Sequence, residues 1–209
     1  DAGAFRALGP QAEMPDGVEG AEGWEVRERA SALFRRYAER GAPEPISRAE
    51  IEALGAKAVL VDVRTAPERA VSVIPGAVSR DDFETRGGAA RAGAEDLVVV
   101  PYCTIGKRSG AYAKALARRH GPGLRVRNGQ GIVVWAAEGG ALVTPEDRAP
   151  TKRMHVFGPA WAVAHPDIHM VSFAMFGMVG LFWMLWESAR RLCACCRPRA
   201  AKGAPSCAA

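Results

Sequence analysis

The residues best suited to chemistry lie in the run Tyr102-Cys103-Thr104-Ile105-Gly106-Lys107-Arg108-Ser109-Gly110. A thiol attacks as its thiolate, and an ordinary cysteine is mostly protonated at neutral pH. A short loop that turns its peptide N–H groups toward the sulfur, with a helix start beneath it, stabilises that anion. Lys107 and Arg108 bring positive charge, Gly106 permits the turn, and the same features attract an anionic substrate. The commoner fate of a single cysteine is a buried structural thiol at a strand end. The glycine, the two cations and the helix start together favour the reactive reading.

The flanking elements should place this loop. Ala58-Val59-Leu60-Val61-Asp62-Val63 and Leu97-Val98-Val99-Val100-Pro101 are continuous apolar runs of the kind buried on both faces of a parallel sheet, and Leu124-Arg125-Val126 is a shorter third run. A helix is expected from Ser109 to His120, with Ala113, Leu116 and Ala117 on its inner face. Strands alternating with helices predict an α/β sheet, in which ligands sit at the carboxyl ends of the strands. Cys103 falls at such an end. Upstream, Val26, Ala30, Leu33, Phe34 and Tyr37 mark one helical face, and Ser47 with Glu50 forms a capping box for a second helix. Residues 1–24 read as an irregular arm.

The charge pattern narrows the function. The 209 residues carry 28 Lys and Arg against 23 Asp and Glu, a net +5. Arg190, Arg191, Arg197, Arg199 and Lys202 account for that excess, so the body is neutral and the basicity belongs to the tail. This argues against a nucleic-acid-binding domain. Cys103 is the only body cysteine, which excludes a disulfide framework there. The four tail cysteines, Cys193, Cys195, Cys196 and Cys207, lack the histidines or second cysteine pair of a zinc site, and no metal or cofactor is expected. His155, His165 and His169 have no ligand-like spacing and are expected at the surface or an interface. The chain starts at Asp1 rather than Met, which reads as a trimmed form.

The stretch from Ile168 to Trp186 has only His169 and Ser172 as polar residues and no charge. As a helix it would extend roughly 28 Å, about the thickness of a bilayer core. Trp183 and Trp186 precede Arg190 and Arg191, as at a membrane boundary. Five segments follow: arm 1–24, catalytic-type domain 25–144, connector 145–167, transmembrane helix 168–187 and basic, cysteine-containing tail 188–209.

Cys103-x-x-Gly106-x-Arg108-Ser109 resembles the active-site loop of rhodanese-like (thiosulfate sulfurtransferase) domains. Asp62-Val63-Arg64, Glu68 and Ile74-Pro75-Gly76-Ala77 resemble that family's opening signature. Gly131-Ile132, Trp135, Gly140 and Leu142-Val143 resemble its closing one. The ordered set spans Ser47 to Val143. Two departures stand out: Ser72-Val73 replaces Gly-His before the Ile-Pro-Gly-Ala motif, and Gln130 replaces the first of two glycines. Cysteine phosphatases of similar architecture place five residues between Cys and Arg; here four intervene, which suits a sulfur-sized group.

The resemblance implies a five-stranded parallel sheet flanked by helices, to which the chain adds a C-terminal single transmembrane helix. It also implies a Cys103 persulfide that passes sulfur to cyanide or a thiol. Lys107 and Arg108 would bind the oxyanion of a small sulfur-containing anion. The N–H groups from Thr104 through Ile105, Gly106, Lys107 and Arg108 to Ser109 would hold the persulfide, and Asp62 and Arg64 would fix the architecture. The expected protein is a membrane-anchored sulfurtransferase held to the lipid bilayer by residues 168–187. The alternative is a catalytically weak or inactive accessory subunit of an organellar membrane protein complex, in the chloroplast thylakoid or the mitochondrial inner membrane.

Overall fold

The computed structural model describes residues 21–172. The first twenty residues of the arm, most of the apolar stretch and the whole basic tail lie outside that range.

Helix α1 (Ala21–Tyr37) comes first, then β1 (Pro45–Ile46), α2 (Arg48–Leu54), β2 (Ala58–Asp62), α3 (Ala66–Val71), β3 (Val78–Ser79), α4 (Arg80–Thr85) and α5 (Gly88–Ala94). They are followed by β4 (Val98–Tyr102), α6 (Lys107–His120), β5 (Arg125–Val126), β6 (Asn128–Gly129), α7 (Ile132–Ala137), β7 (Arg153–His155) and β8 (His169–Val171). The arm therefore becomes helical at Ala21 rather than near Val26. Ser47 caps α2 as its capping box predicts: its side chain accepts from the Glu50 N–H, and Glu50 accepts from the Ser47 N–H at 2.9 Å.

The expected five-stranded sheet has four strands, ordered β3-β2-β4-β5 and all parallel. β2 and β4 pair along their full length, from Ala58 opposite Val98 to Asp62 opposite Tyr102. β1 instead pairs with β6 in a separate two-stranded unit. Arg127 separates β5 from β6, and its N–H still reaches the Val99 carbonyl at 3.0 Å. The chain thus changes partner within a few residues, and neither short pairing extends far enough to make one continuous fifth strand.

Period-two alternation splits the buried residues between the two faces of the sheet. Leu60, Val98, Val100 and Tyr102 join Phe34 of α1, Ile51 of α2 and all of α7 on one side. Val59, Val61 and Val99 join Phe83 of α4, Ala92 of α5, and Tyr112 and Leu116 of α6 on the other. Strands covered on both faces are the reason their sequences read as unbroken apolar runs.

The segment expected as a connector is part of the fold. Met154, Val156, Val163 and Ile168 are buried in the α1–α2–α7 core. β7 pairs in parallel with β8, from Arg153 opposite His169 to His155 opposite Val171. The expected transmembrane helix therefore does not begin at Ile168, because Ile168 is core and the next three residues form a strand. Among the described residues no helix is long and apolar enough to cross a membrane. The remainder of that expectation, residues 173–187, falls outside them.

Candidate functional site

β4 ends at Tyr102 and α6 begins at Lys107, so Cys103 to Gly106 form the turn between a central strand and a helix. Gly106 sits at φ +84, a left-handed conformation that glycine adopts without strain. A Cβ there would also collide with the Phe34 ring of α1. Gly131 plays the matching part behind the loop. With φ +105, it lets its backbone come so close that a Cβ would lie 2.6 Å from the Thr104 carbonyl and 2.8 Å from the Ile105 nitrogen.

That close approach orients the loop. The Ile132 N–H donates to the Cys103 carbonyl at 2.8 Å and the Val133 N–H to the Thr104 carbonyl at 3.2 Å. The Gly106 carbonyl accepts from the Gly110 N–H at 3.0 Å and from Asn128 Nδ2 at 3.2 Å. Three loop carbonyls are thus tied down. By contrast, the N–H groups of Thr104, Ile105 and Gly106 have no acceptor among the described residues. The first N–H groups of α6 also lack helical partners. The result is a loop rich in uncommitted donors.

The sulfur itself is enclosed. Cys103 is 1% exposed, Thr104, Ile105 and Ser109 are buried with it, and Lys107 alone among the loop residues is exposed. Ser109 Oγ is 3.7 Å from Cys103 Sγ. Asn128 on β6, which no motif flagged, accepts from Ser109 Oγ at 3.0 Å. It lies in the polar, glycine-containing run Arg127-Asn128-Gly129-Gln130, which carries no local signal for that role.

Arg108 does not point at an open anion site. Its Nη1 and Nη2 grip Glu68 Oε2 and Oε1 at 2.8 and 2.7 Å, a two-pronged ion pair. Glu68 is fully buried and is also the capping-box acid of α3, accepting from the Thr65 N–H at 2.9 Å. Burial alone would raise the Glu68 carboxyl. The hydrogen bonds and charge of Arg108, with help from Thr65, outweigh it and hold the group at about 2. Burial likewise opposes the charge on Arg108, but bonding to Glu68 and the nearby Cys103 sulfur raise it above the ordinary arginine value.

Asp62 and Arg64 form a second, fully buried pair at 2.6 Å. Arg64 Nη2 also donates to the Ser72 carbonyl at 2.7 Å. The Tyr102 hydroxyl donates to Asp62 at 2.6 Å and accepts from the Ile74 N–H at 3.2 Å. These bonds tie the end of β2, the extended segment Ser72–Ile74 and the residue before Cys103 into one unit. Burial first, and the charge of Asp62 second, push Tyr102 well above the usual phenol range, so it stays a donor.

Part of the cover comes from the segment expected as a connector. Phe157 lies under the Arg108 guanidinium at 5.0 Å and meets His155 edge-on at 5.3 Å. Phe157 also touches Trp161, which reaches Tyr37 of α1, with ring centroids 5.1 and 5.5 Å apart. His155 was expected at a surface or interface. It is fully buried, with Nδ1 3.7 Å from Glu68 Oε1. Burial lowers it, Glu68 opposes that, and the charges of Arg64 and Arg108 lower it further. Among the described residues no group of His, Cys, Asp and Glu side chains is arranged to hold a metal ion.

Residues 48–138 match the rhodanese-like domain family. No curated protein matches the chain. Among solved structures, a thiosulfate sulfurtransferase from Pseudomonas aeruginosa is 21% identical with a TM-score of 0.43, over 60% of this chain and 24% of that one. The chain thus spans about a quarter of that protein's length. A rhodanese-related protein from Thermoplasma volcanium is 20% identical with a TM-score of 0.39, over 48% of this chain and 98% of that one. A Rhodopseudomonas palustris protein of unknown function, described as a possible tyrosine phosphatase, is 26% identical with a TM-score of 0.38, over 61% and 98%.

Proposed function

We propose that this chain, which carries a rhodanese-like domain over residues 48–138, is a sulfurtransferase that holds sulfane sulfur as a persulfide on Cys103. The observation that carries this reading is the distribution of hydrogen bonds in the loop. The carbonyls of Cys103, Thr104 and Gly106 are bound elsewhere, and the N–H groups of Thr104, Ile105 and Gly106 are left to meet negative charge.

In the reaction, the Cys103 thiolate attacks the outer sulfur of a donor such as thiosulfate. The new S–S bond forms as the donor's own S–S bond breaks, and sulfite leaves with the bonding pair. An acceptor nucleophile, cyanide or a thiolate, then takes the terminal sulfur and returns Cys103 as thiolate. Lys107 is the loop cation placed to meet an incoming anion, since Glu68 engages Arg108. Membrane attachment through the apolar residues that follow Val171 belongs to the same proposal, motivated by the uncharged run that ends at Trp186.

The burial of Cys103 favours a second reading. A thiol 1% exposed suits an accessory subunit of an organellar membrane complex in which the fold binds rather than catalyses. One assay separates the two: thiosulfate:cyanide sulfur transfer by the full chain in detergent, with Cys103→Ser as control. Activity abolished by the substitution supports the enzyme. An inactive wild type whose Cys103 resists iodoacetamide overturns it, and co-purification with a large detergent-solubilised assembly then supports the accessory role.

A further inference from the structure

Asn128 lies on β6, buried, beside the end of the loop and the first turn of α6. Its Nδ2 donates to the Gly106 carbonyl at 3.2 Å. A carbonyl only accepts, so this contact sets the amide: the nitrogen faces Gly106 and the oxygen faces Ser109. Ser109 Oγ lies 3.0 Å from that oxygen, which cannot donate, so the hydrogen between them belongs to the serine.

The serine hydroxyl has one hydrogen and two further acceptors in reach. Cys103 Sγ is 3.7 Å away and the Gly129 carbonyl 3.5 Å. With sulfur protonated and neutral, the shortest contact wins, and the serine hydrogen stays turned toward Asn128. The hydroxyl lone pairs then face the sulfur and can accept its S–H. Once the sulfur is anionic, as thiolate or persulfide, it becomes the stronger acceptor, because hydrogen bonds to charged partners are the stronger kind. The hydrogen must then leave Asn128, whose oxygen is buried without another donor in view. Every gain at the sulfur is set against that loss.

We propose that Asn128 is a positioning residue that competes with Cys103 for the single hydroxyl hydrogen of Ser109, and so governs how readily the sulfur takes on negative charge. Its functional meaning rests on the sulfur-carrying reading above. The competing account is that the amide only ties β6 to the first turn of α6, and it predicts no dependence on Ser109.

The test uses the full chain with Cys193, Cys195, Cys196 and Cys207 replaced by Ser, so that Cys103 is the one thiol. Iodoacetamide alkylation is timed at pH 7 and pH 9.5, and the ratio of the two rates is taken within each protein. That ratio cancels differences in how often the site opens. Asn128→Leu is expected to raise the ratio about three- to tenfold, the worth of the neutral Ser109–Asn128 hydrogen bond that no longer has to be given up. Ser109→Ala is expected to lower it, and Asn128→Leu added to Ser109→Ala is expected to change nothing more. Asn128→Ala, smaller and less demanding of space, should act in the same direction as Asn128→Leu. An unchanged ratio in folded Asn128 variants overturns the proposal, as does an equal rise with and without Ser109. Loss of thiosulfate:cyanide transfer alone would remove the sulfurtransferase reading and leave this alkylation result standing.

Discussion

At the scale of the residue, Glu68 joins more of the site than any other side chain. It caps α3, pairs with Arg108, accepts from Thr104 Oγ1 at 3.3 Å and lies beside His155. Replacing Glu68 by Gln would keep the shape and strand a largely buried guanidinium. Breaking one partner of a buried pair costs ~3–5 kcal/mol, and the partial exposure of Arg108 places this case near the lower end. Urea unfolding at pH 7 would measure a loss of about 3 kcal/mol, whereas a loss under 1 kcal/mol would mean that the pair contributes little. The sequence marked Arg108 as an anion ligand because Arg after a Gly-containing loop suits that role. Its commitment to an acid forty positions earlier depends on how β2 and β4 align, which no local pattern reveals.

At the scale of the element, two backbones must nearly touch: the Cys103 loop and the start of α7. Gly131→Ala would place a methyl 2.6 Å from the Thr104 carbonyl at a left-handed φ. The variant should lose about 2 kcal/mol or more in the same unfolding assay, and a neutral result would show that the loop yields. The cover over Arg108 offers a second test. Phe157→Ala removes the ring beneath the guanidinium and interrupts the aromatic chain toward Tyr37. In the background with Cys103 as the one thiol, iodoacetamide should react about tenfold faster, or more, with little change in the pH 7 to pH 9.5 ratio, because the cover controls access rather than charge. No acceleration would show that Phe157 does not limit access to the sulfur. The capping box at Ser47 and the apolar runs of β2 and β4 were legible as local signals. The β7–β8 pair was not: three residues on each side carry too little pattern, and the apolar run starting at Ile168 reads as helix by length.

At the scale of the whole molecule, acid should unfold the domain through two groups acting in the same direction. The Glu68 carboxyl falls from 4.5 to about 2 on folding, so its contribution is present above the unfolded value and is lost as the pH drops from about 5 toward 2. That contribution is about 3 kcal/mol. His155 is lowered in the folded state, so the unfolded chain binds its proton first and stability starts to fall below about 6.5. Thermal melts from pH 7 to pH 3 should show a steady decline, and Glu68→Gln should flatten its lower part. A melting temperature level down to pH 4 would contradict the His155 contribution. Membrane attachment is tested at the same scale: the full chain should float with anionic lipid vesicles, and a chain ending at Ser172 should stay behind. Equal flotation of both would place the contact elsewhere.

By itself the sequence determined the parallel α/β order, the place of Cys103 at the end of a central strand and the neutrality of the body, because these follow from short-range periodicity and from counts. Tertiary structure decided what the site's charges do. Arg108 is engaged by Glu68, Tyr102 ties down Asp62, and Asn128 holds Ser109, all through contacts between residues distant in the chain. It also decided that residues 153–171 pack against the site instead of leading away from it, since a few buried side chains on an irregular segment leave no period to read. Pairing across the sheet is set by the register of whole strands, and only the folded chain has a register.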